Sequence, residues 1–273
     1  MRYNGYRFLA RLIVMNNRLW DIIREETELE AKNEPVLASF LHATILNHDN
    51  LESALSYHLA DLLNSPATPA MLLREVIQEA LDKDRSIIER VSEDIKAVYE
   101  RDSACQAFST PFLYFKGFLA LQSYRISHWL WANQRQSLAL YFQHRISVVF
   151  GVDIHPAAVI GHGIMLDHAT GLVVGETCVI GNNVSIMQSV TLGGTGKEDG
   201  DRHPKVADGV LISAGAKILG NISIGEGAKI GAGSVVLKSV PAYCTAAGVP
   251  AKIISKHKAD GDMPALHMNH SLE

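Results

Sequence analysis

The chain has 273 residues, of which 47% are apolar and 20% charged, and its formal net charge is −4. This composition excludes an intrinsically disordered chain, and the small negative charge provides no basic field for binding nucleic acid. Three widely spaced cysteines and the lack of a long uncharged apolar segment argue against a disulfide framework or a membrane helix, so we expect a cytoplasmic location.

The first half of the sequence predicts helices. Apolar residues recur at spacings of three and four in segments such as LWDIIREETELEA and MLLREVIQEALDKD, which is typical of amphipathic helices. We expect a short N-terminal extension at residues 1–17 and a helical domain at 18–150. The domain should contain about seven or eight helices, the last two at roughly 111–133 and 136–149.

Beyond residue 152, aliphatic residues recur every six positions, and this period breaks twice. Leu172 is followed by a slip of two residues to Val174, and a polar, glycine-rich insertion separates Leu192 from Val206. The periodic positions are Ile154, Ile160, Leu166, Leu172, Val174, Ile180, Ile186, Leu192, Val206, Ile212, Ile218, Ile224, Ile230 and Val236.

A period of six fits neither an α-helix nor an array of hairpins. It is typical of a parallel β-helix, in which each hexad supplies one short strand and one corner. The predicted fold class is therefore α+β, with an all-helical N-terminal domain followed by a left-handed parallel β-helix of hexapeptide repeats. We expect the β-helix at 151–252, with about five coils, and a flexible C-terminal tail at 253–273.

Histidines and acidic residues gather in the first part of the repeat region, near the insertion. A carboxylate beside a histidine orients the imidazole and stabilises its protonated form, as general acid–base catalysis requires. Long loops in a regular scaffold also tend to carry function. The candidate residues are His155, His162, His168, His203, Asp153, Asp167, Asp201 and Arg202.

Several segments resemble bacterial serine acetyltransferases: VDIHPAAVIGHGIMLDHATGLVVGET, SVTLGGTG, DRHPK, GAKILGN and AAGVPAK. In the helical half, EPVLASFLHATIL, RDSA and YFKGFLALQSYRISHWLW are similar to that family's N-terminal domain. The similarity runs from about residue 18 to the end of the sequence, and its non-repetitive segments make it specific.

The resemblance implies transfer of an acetyl group from acetyl-CoA to the hydroxyl of L-serine. His168 would be the general base and Asp153 its orienting carboxylate. A base is needed because a serine hydroxyl is a poor nucleophile near neutral pH, and such a base typically contributes about 10²–10⁴-fold. The attack would be direct, without an acyl-enzyme, so we expect Cys178 and Cys244 to be dispensable.

The resemblance also assigns the two charged ends of L-serine. Asp102 and Asp167 would meet its ammonium group, and Arg202 and His203 its carboxylate, for which a guanidinium fork is well suited. A purely structural role for Asp102, capping the helix that ends in RDSA, is an alternative.

For acetyl-CoA, the resemblance implies a groove between adjacent subunits. Gly194, Ala214 and Ala232 would leave room for its arm, and Lys229 and Lys252 would meet its phosphates. No metal is expected.

The family also implies a homotrimer, paired into a hexamer by the helical domains, and inhibition by L-cysteine at the serine site. Members that dock into O-acetylserine sulfhydrylase end in isoleucine, whereas this sequence ends in Leu272 and Glu273. That departure weakens the expectation of a complex with the sulfhydrylase.

Three alternatives stay open from the sequence. One is an acetyltransferase of the same fold that acts on a sugar, a galactoside or an antibiotic. Another is a zinc-dependent β-helix lyase, because enzymes of that type bind the metal through three histidines. The third is a non-catalytic scaffold, in which replacement of His168 would change nothing.

Overall fold

The computed structural model describes residues 19–196, 199–256 and 263–272. The N-terminal extension expected at 1–17 lies outside these ranges. Helices occupy the first half of the described chain and short parallel strands the second, as the change in hydrophobic period predicts. Within the described ranges, no helix is long and apolar enough to cross a membrane.

The helical half contains eight α-helices within the described part of the chain, in agreement with the predicted number. A 3₁₀ turn at Pro35–Leu37 and a π-helical turn at His42–Leu46 flank the second of them. The helices are α1 (Leu19–Asn33), α2 (Ala38–Leu41), α3 (Leu51–Leu63), α4 (Ala70–Lys83), α5 (Ser86–Arg101), α6 (Ser109–Tyr114), α7 (Lys116–Ala132) and α8 (Gln136–Phe150).

The segment 111–133, predicted as one helix, is interrupted. Phe115 has an extended backbone (φ −89°, ψ 104°), so α6 ends before it and α7 begins after it. The break turns the start of α7 towards the β-helix, where Gly117 lies against the backbone carbonyl of Leu166. Sequence periodicity misses the break because apolar residues continue through it.

In the described residues that follow, fifteen short strands form three sheets, which are the three sides of a parallel β-helix. The first side has the order β1-β4-β7-β10-β13, the second β2-β5-β8-β11, and the third β3-β6-β9-β12-β14-β15. The strands are β1 (Val152–Ile154), β2 (Val159–Ile160), β3 (Met165–Leu166), β4 (Leu172–Val174), β5 (Val179–Ile180), β6 (Ser185–Ile186), β7 (Thr191–Gly193), β8 (Lys205–Val206), β9 (Leu211–Ile212), β10 (Lys217–Leu219), β11 (Ser223–Ile224), β12 (Lys229–Ile230), β13 (Val235–Val236), β14 (Cys244–Gly248) and β15 (Ala251–Lys256).

The periodic aliphatic side chains point into the β-helix, and every one of them is buried. In the first side, for example, Ile154 stacks on Val174 and Val174 on Leu192, each being paired with its equivalent one coil away. Burying an aliphatic side chain contributes about 1.5–3 kcal/mol. The stack therefore explains why a period of six specifies this fold, and the predicted β-helix is confirmed.

The two-residue slip has a structural origin. Leu166 pairs with Ile186 and Val174 pairs with Leu192, so the first coil uses eight residues where the second uses six to reach the same side. The corner at 167–171 therefore contains two extra residues. The second break in the period lies between β7 and β8, where the sequence carries the polar insertion.

The C-terminal boundary differs from the one predicted at residue 252. Strand β15 runs on to Lys256 because it pairs antiparallel with β14. Residues 263–272 then lie against the third side of the β-helix, where a short helix, α9 (Pro264–His267), buries its first two residues. This part of the expected flexible tail is packed against the coils.

Candidate active site

A pocket of about 460 Å³ opens between the helical domain and the enlarged corner. Asp102, Asp167 and His168, which the sequence analysis assigned to one site, all line it. Asp102 comes from the helical half, and the other two come from the β-helix. The pocket is thus built by both halves of the chain.

His168 has a backbone conformation that few residues other than glycine adopt. Its φ is 55° and that of Ala169 is 57°, so two consecutive non-glycine residues adopt the left-handed conformation. Such a conformation costs roughly 1–2 kcal/mol per residue, and strain of this kind concentrates at functional sites. The extra length of the corner makes this turn possible, and it leaves the His168 side chain 69% exposed.

The His168 imidazole has an acidic neighbour, because its Nε2 lies 3.7 Å from Oδ1 of Asp167. Burial raises the pKa of Asp167, and the negative charge of Asp102 acts in the same direction, whereas His168 and His270 oppose it. A cation placed between Asp102 and Asp167 would relieve this repulsion. The pair therefore suits the ammonium group of an amino acid.

Asp102 also has a structural role in the turn that follows α5, where its side chain does not cap the carbonyls of the helix. It follows the last residue of α5, and its Oδ1 accepts a hydrogen bond from the backbone N–H of Ala104 at 2.8 Å. The bond uses one carboxylate oxygen and fixes the side chain at the edge of the pocket. Stabilising this turn and binding a ligand are thus compatible at this residue.

Asp153 is hydrogen-bonded to the helical domain. Its Oδ1 accepts a hydrogen bond from Nε2 of Gln143, in α8, at 2.7 Å. Asp153 belongs to β1 and pairs with Val173 of β4, the strand that the enlarged corner enters. Among the described residues, the acid that lies within 4 Å of the His168 ring is Asp167.

Arg202 and His203 lie elsewhere, at the edge between the first and second sides of the β-helix. Nη2 of Arg202 pairs with Oε2 of Glu176 at 2.7 Å, and its backbone N–H donates to Oγ1 of Thr177 at 3.0 Å. His168 occupies the edge between the third and first sides. The chain therefore does not bring Arg202 and His203 to the pocket by itself.

His203 is held in a defined tautomer. The backbone N–H of Thr177 donates to its Nδ1 at 3.2 Å, so Nδ1 is the acceptor and the proton of the neutral ring is on Nε2. Burial lowers the pKa of His203, and the charge of Arg202 lowers it further. The Nε2–H of a neutral ring is a hydrogen-bond donor suited to a carboxylate.

Two of the predicted acetyl-CoA positions share an edge with His168. Ala214 and Ala232 occupy, in later coils, the position that His168 has in the first, and the N–H of Gly233 donates to the carbonyl of Ala214 at 2.8 Å. Gln188 fills the same position in the intervening coil. Its Oε1 is buried without a hydrogen-bond partner among the described residues, and the sequence analysis did not select it.

The remaining acetyl-CoA positions are dispersed. Gly194 lies beside Arg202, on the insertion, and the side chain of Lys252 is exposed on β15. Lys229 is only 4% exposed, and its Nζ donates to the backbone carbonyl of Ser271. The segment 263–272 therefore covers a lysine that the sequence analysis expected to meet a phosphate.

The pocket also contains two residues that the sequence analysis missed. Lys116 lines it and donates from Nζ to Oγ1 of Thr170, in the enlarged corner. A Cβ on Gly117 would lie 2.0 Å from the carbonyl oxygen of Leu166, so only glycine allows α7 to start this close to β3. Both belong to the YFKG segment, in which one helix ends and the next begins. The spacing of apolar residues does not reveal this break, so it does not point to these two residues.

The three cysteines are buried, and none of them forms a disulfide within the described residues. Burial raises the pKa of Cys178 to about 12, and none of the three lines the pocket. In the described part of the chain, no group of three or more histidine, cysteine or acidic side chains is arranged to hold a metal ion.

Comparisons with known proteins match both halves of the chain. A family model described as "Serine acetyltransferase, N-terminal" matches residues 19–123, and one described as "Bacterial transferase hexapeptide (six repeats)" matches 203–238. The serine acetyltransferase of Haemophilus influenzae is 63% identical over 251 residues, which are 92% of this chain and 93% of the relative. The chain belongs to the serine acetyltransferase family.

Solved structures of the serine acetyltransferase family superpose on most of the chain. A serine acetyltransferase in complex with cysteine has a TM-score of 0.91 and 62% identity, and the match covers 93% of this chain and 98% of the other. The enzyme of Brucella abortus, in complex with coenzyme A, gives 0.88 and 52%, over 89% and 98% of the chains. That of Neisseria gonorrhoeae, in complex with serine, gives 0.84 and 58%, over 86% and 96%.

Proposed function

We propose that this protein transfers the acetyl group of acetyl-CoA to the hydroxyl of L-serine, giving O-acetyl-L-serine and CoA, with His168 as the general base. The observation that supports this best is the pocket in which His168 faces two carboxylates, Asp102 and Asp167. A free amino acid carries an ammonium group close to its hydroxyl. A neutral sugar such as a galactoside has no ammonium group, which favours an amino-acid acceptor over it.

In the proposed reaction, an unprotonated ring nitrogen of His168 takes the proton of the serine hydroxyl as the oxygen attacks the thioester carbonyl. The tetrahedral intermediate collapses, the C–S bond breaks, and the CoA sulfur receives the proton from the imidazolium. No protein nucleophile is needed, which agrees with the raised pKa and burial of the Cys178 thiol. The exposure of the His168 side chain leaves it free to reach a substrate in the pocket.

The orienting carboxylate of His168 has two candidates. Asp153 is the one that the family resemblance assigns, and Asp167 is the one nearest to the ring in this structure. We propose Asp153 for this role, as the family resemblance implies, and its place in β1 beside Val173 of β4, the strand that follows the corner, supports the proposal. Asp167 then remains free for the substrate ammonium.

The arm of acetyl-CoA is proposed to run along the edge that carries His168, Ala214 and Ala232. Small side chains leave room for it on two coils, and the thioester would end beside the base. Residues 263–272 lie next to this edge, because Nδ1 of His270 is 2.9 Å from Oγ of Ser213, the residue before Ala214.

We propose that the complete site lies between two chains of a trimer, because Arg202 and His203 occupy a different edge from His168. Apolar side chains exposed on the outer faces of the first and second sides support packing between β-helices. Pairing of trimers would use exposed apolar residues of the helical half. The exposed residues are Val159, Val173 and Val179 on the strands, and Leu29, Val36, Met71 and Leu72 on the helices.

A serine-dependent assay of CoA release tests the reaction, with glucosamine and a galactoside as competing acceptors. His168→Asn should lower the rate of release about 10²–10⁴-fold, since asparagine tolerates the left-handed backbone but supplies no base. His162→Asn, at an exposed corner outside the pocket, is the matched control and should keep full activity. Release with a sugar but not with L-serine would refute the proposed acceptor.

Subunit mixing tests the shared site. His168→Asn and Arg202→Ala should each be inactive alone, whereas refolded mixtures should recover about a quarter of the wild-type activity, because one interface in four is then intact. Failure of the mixture to recover activity would contradict a site formed by two chains. The same assay tests L-cysteine, which we propose binds at the serine site and should compete with L-serine.

A further inference from the structure

The segment that carries His168 is held at both ends by the helical domain. At its start, the backbone N–H of Ile164 donates to Oδ1 of Asp94, on α5, at 2.9 Å. At its end, Nζ of Lys116, on α7, donates to Oγ1 of Thr170. The residues between these points include the two left-handed residues, and they form the part of the coil that departs from the regular repeat.

The two contacts differ in how deeply they are buried. Asp94 is fully buried, and its other oxygen, Oδ2, pairs with Nη2 of Arg125 at 2.7 Å. Removing it would leave a buried cation unpaired and would destabilise the whole domain junction. Lys116 is partly exposed and lines the pocket, so it can be replaced without leaving a buried charge.

The hydroxyl of Thr170 connects Lys116 to His168. An ammonium group has three donors and no lone pair, so Oγ1 must accept from Lys116 and is left to donate its own proton. An acceptor that it can use among the described residues is the backbone carbonyl of His168, 3.5 Å from Oγ1. The backbone N–H of Thr170 donates to the same carbonyl at 2.8 Å. The lysine thereby fixes the peptide that follows the proposed base.

We propose that Lys116 is a positioning residue, which acts through Thr170 to hold the left-handed turn of His168 in the orientation needed for catalysis. This inference rests on the proposed role of His168 as the general base. A left-handed pair of non-glycine residues persists only where its surroundings over-determine it. Gly117, the next residue, contributes by letting the start of α7 lie directly on β3.

Four variants of this pair test the inference by steady-state kinetics with L-serine and acetyl-CoA. Lys116→Met and Thr170→Val should each lower kcat about 10–100-fold, since a displacement of roughly 1 Å at a reacting group has an effect of this size. Both KM values should stay within about twofold of wild type, because no contact with substrate is lost. Lys116→Arg and Thr170→Ser keep the donor and the hydroxyl, and they should restore most of the rate.

The double variant Lys116→Met/Thr170→Val measures the coupling directly. If the lysine acts through the threonine, the double variant should be no slower than either single variant. Lys96→Met removes another lysine of the helical domain, one that pairs with Glu93 on the surface, and it should leave kcat unchanged. Thermal unfolding of every variant monitors the fold.

Several results would overturn the inference. An unchanged kcat in Lys116→Met, or additive losses in the double variant, would remove the link to His168. A higher KM for L-serine with an unchanged kcat would make Lys116 a ligand of the substrate. If the loss of kcat in the Lys116 variants parallels a fall in melting temperature, and Lys116→Arg does not keep the rate, the role of Lys116 would be structural. An inactive wild type would instead refute the proposed function, and the positioning role with it.

Discussion

For Gly117→Ala, helix propensity and tertiary packing predict opposite changes in the stability of the protein. Gly117 is the second residue of α7, and alanine is favoured over glycine in a helix by about 1 kcal/mol. Helix propensity alone therefore predicts a more stable protein. The structure predicts a less stable and less active one, because the new methyl group points at the backbone of β3.

The size of the effect follows from the distances. The Cβ would lie 2.0 Å from the carbonyl oxygen of Leu166, about 1.3 Å short of a close carbon–oxygen contact. Ala169, whose Cβ would be 3.0 Å away, blocks escape towards the corner. The neighbouring atom is backbone, so α7 and β3 must separate. We expect a net loss of about 1–3 kcal/mol in the free energy of unfolding.

The same separation moves Asp167 and His168, which follow Leu166 directly. A displacement of about 1 Å should lower kcat by up to about 10²-fold. Urea unfolding and serine-dependent CoA release would be measured on the same preparations. Ser137→Ala is a control at the second residue of α8, where the serine is exposed and the free energy of unfolding should change by less than about 0.5 kcal/mol.

A Gly117→Ala protein that unfolds at higher urea concentration than wild type, with full activity, would refute this reasoning. It would mean that the close approach of α7 to β3 is not required for the geometry of the corner. A loss of stability with unchanged kcat would contradict only the predicted displacement of Asp167 and His168. In that case the helix would be packed against the corner without controlling it.

Three further predictions concern charge and the C-terminal segment. Because burial and the Asp102 charge raise the pKa of Asp167, the ionised carboxylate destabilises the fold, and this loss appears as the pH rises through that pKa. Asp167→Asn should therefore unfold at higher temperature than wild type at pH 7 while its KM for L-serine increases; a lower melting temperature would contradict the assigned strain. Burial lowers the pKa of His58 from 6.5 to about 4, so its stabilising effect is complete above pH 6.5 and is lost as the pH falls towards 4. Urea titrations at pH 6.5 and 4.5 should show a loss of about 2–3 kcal/mol that His58→Gln reduces, and an equal loss in both proteins would exclude His58 as its source. Truncation after Lys256 exposes Lys229 and should lower the KM for acetyl-CoA, whereas an unchanged KM would separate that lysine from the cofactor.

The repeat region is where sequence predicts structure most directly. A buried aliphatic residue every sixth position has one physical explanation, so the coils and their inward side chains follow from the pattern alone. The slip between Leu172 and Val174 even marks the enlarged corner, although only the strand register shows that the extra residues surround His168. The break of the predicted helix at Phe115 leaves no such mark, because it depends on a contact with a distant strand.

The candidate site was predicted in part. Asp102, Asp167 and His168 meet in one pocket although the first is far from the other two in sequence, and only the family resemblance linked them. Lys116 was missed because a single lysine near a helix start is usually solvated, and its contact with the corner is set by tertiary packing. Gln143, the partner of Asp153, was missed for the same reason.

Beyond the enlarged corner, equivalent positions in successive coils follow one another along this edge at a regular spacing. Successive coils are spaced by about 4.8 Å, so His168 and Ala232, three coils apart, are separated by roughly 14 Å along the edge. A cofactor arm that lies on this edge would therefore contact residues whose distances from His168 are multiples of the spacing between coils. Inserting one regular coil between them would lengthen that distance by a single step and leave the corner itself unchanged.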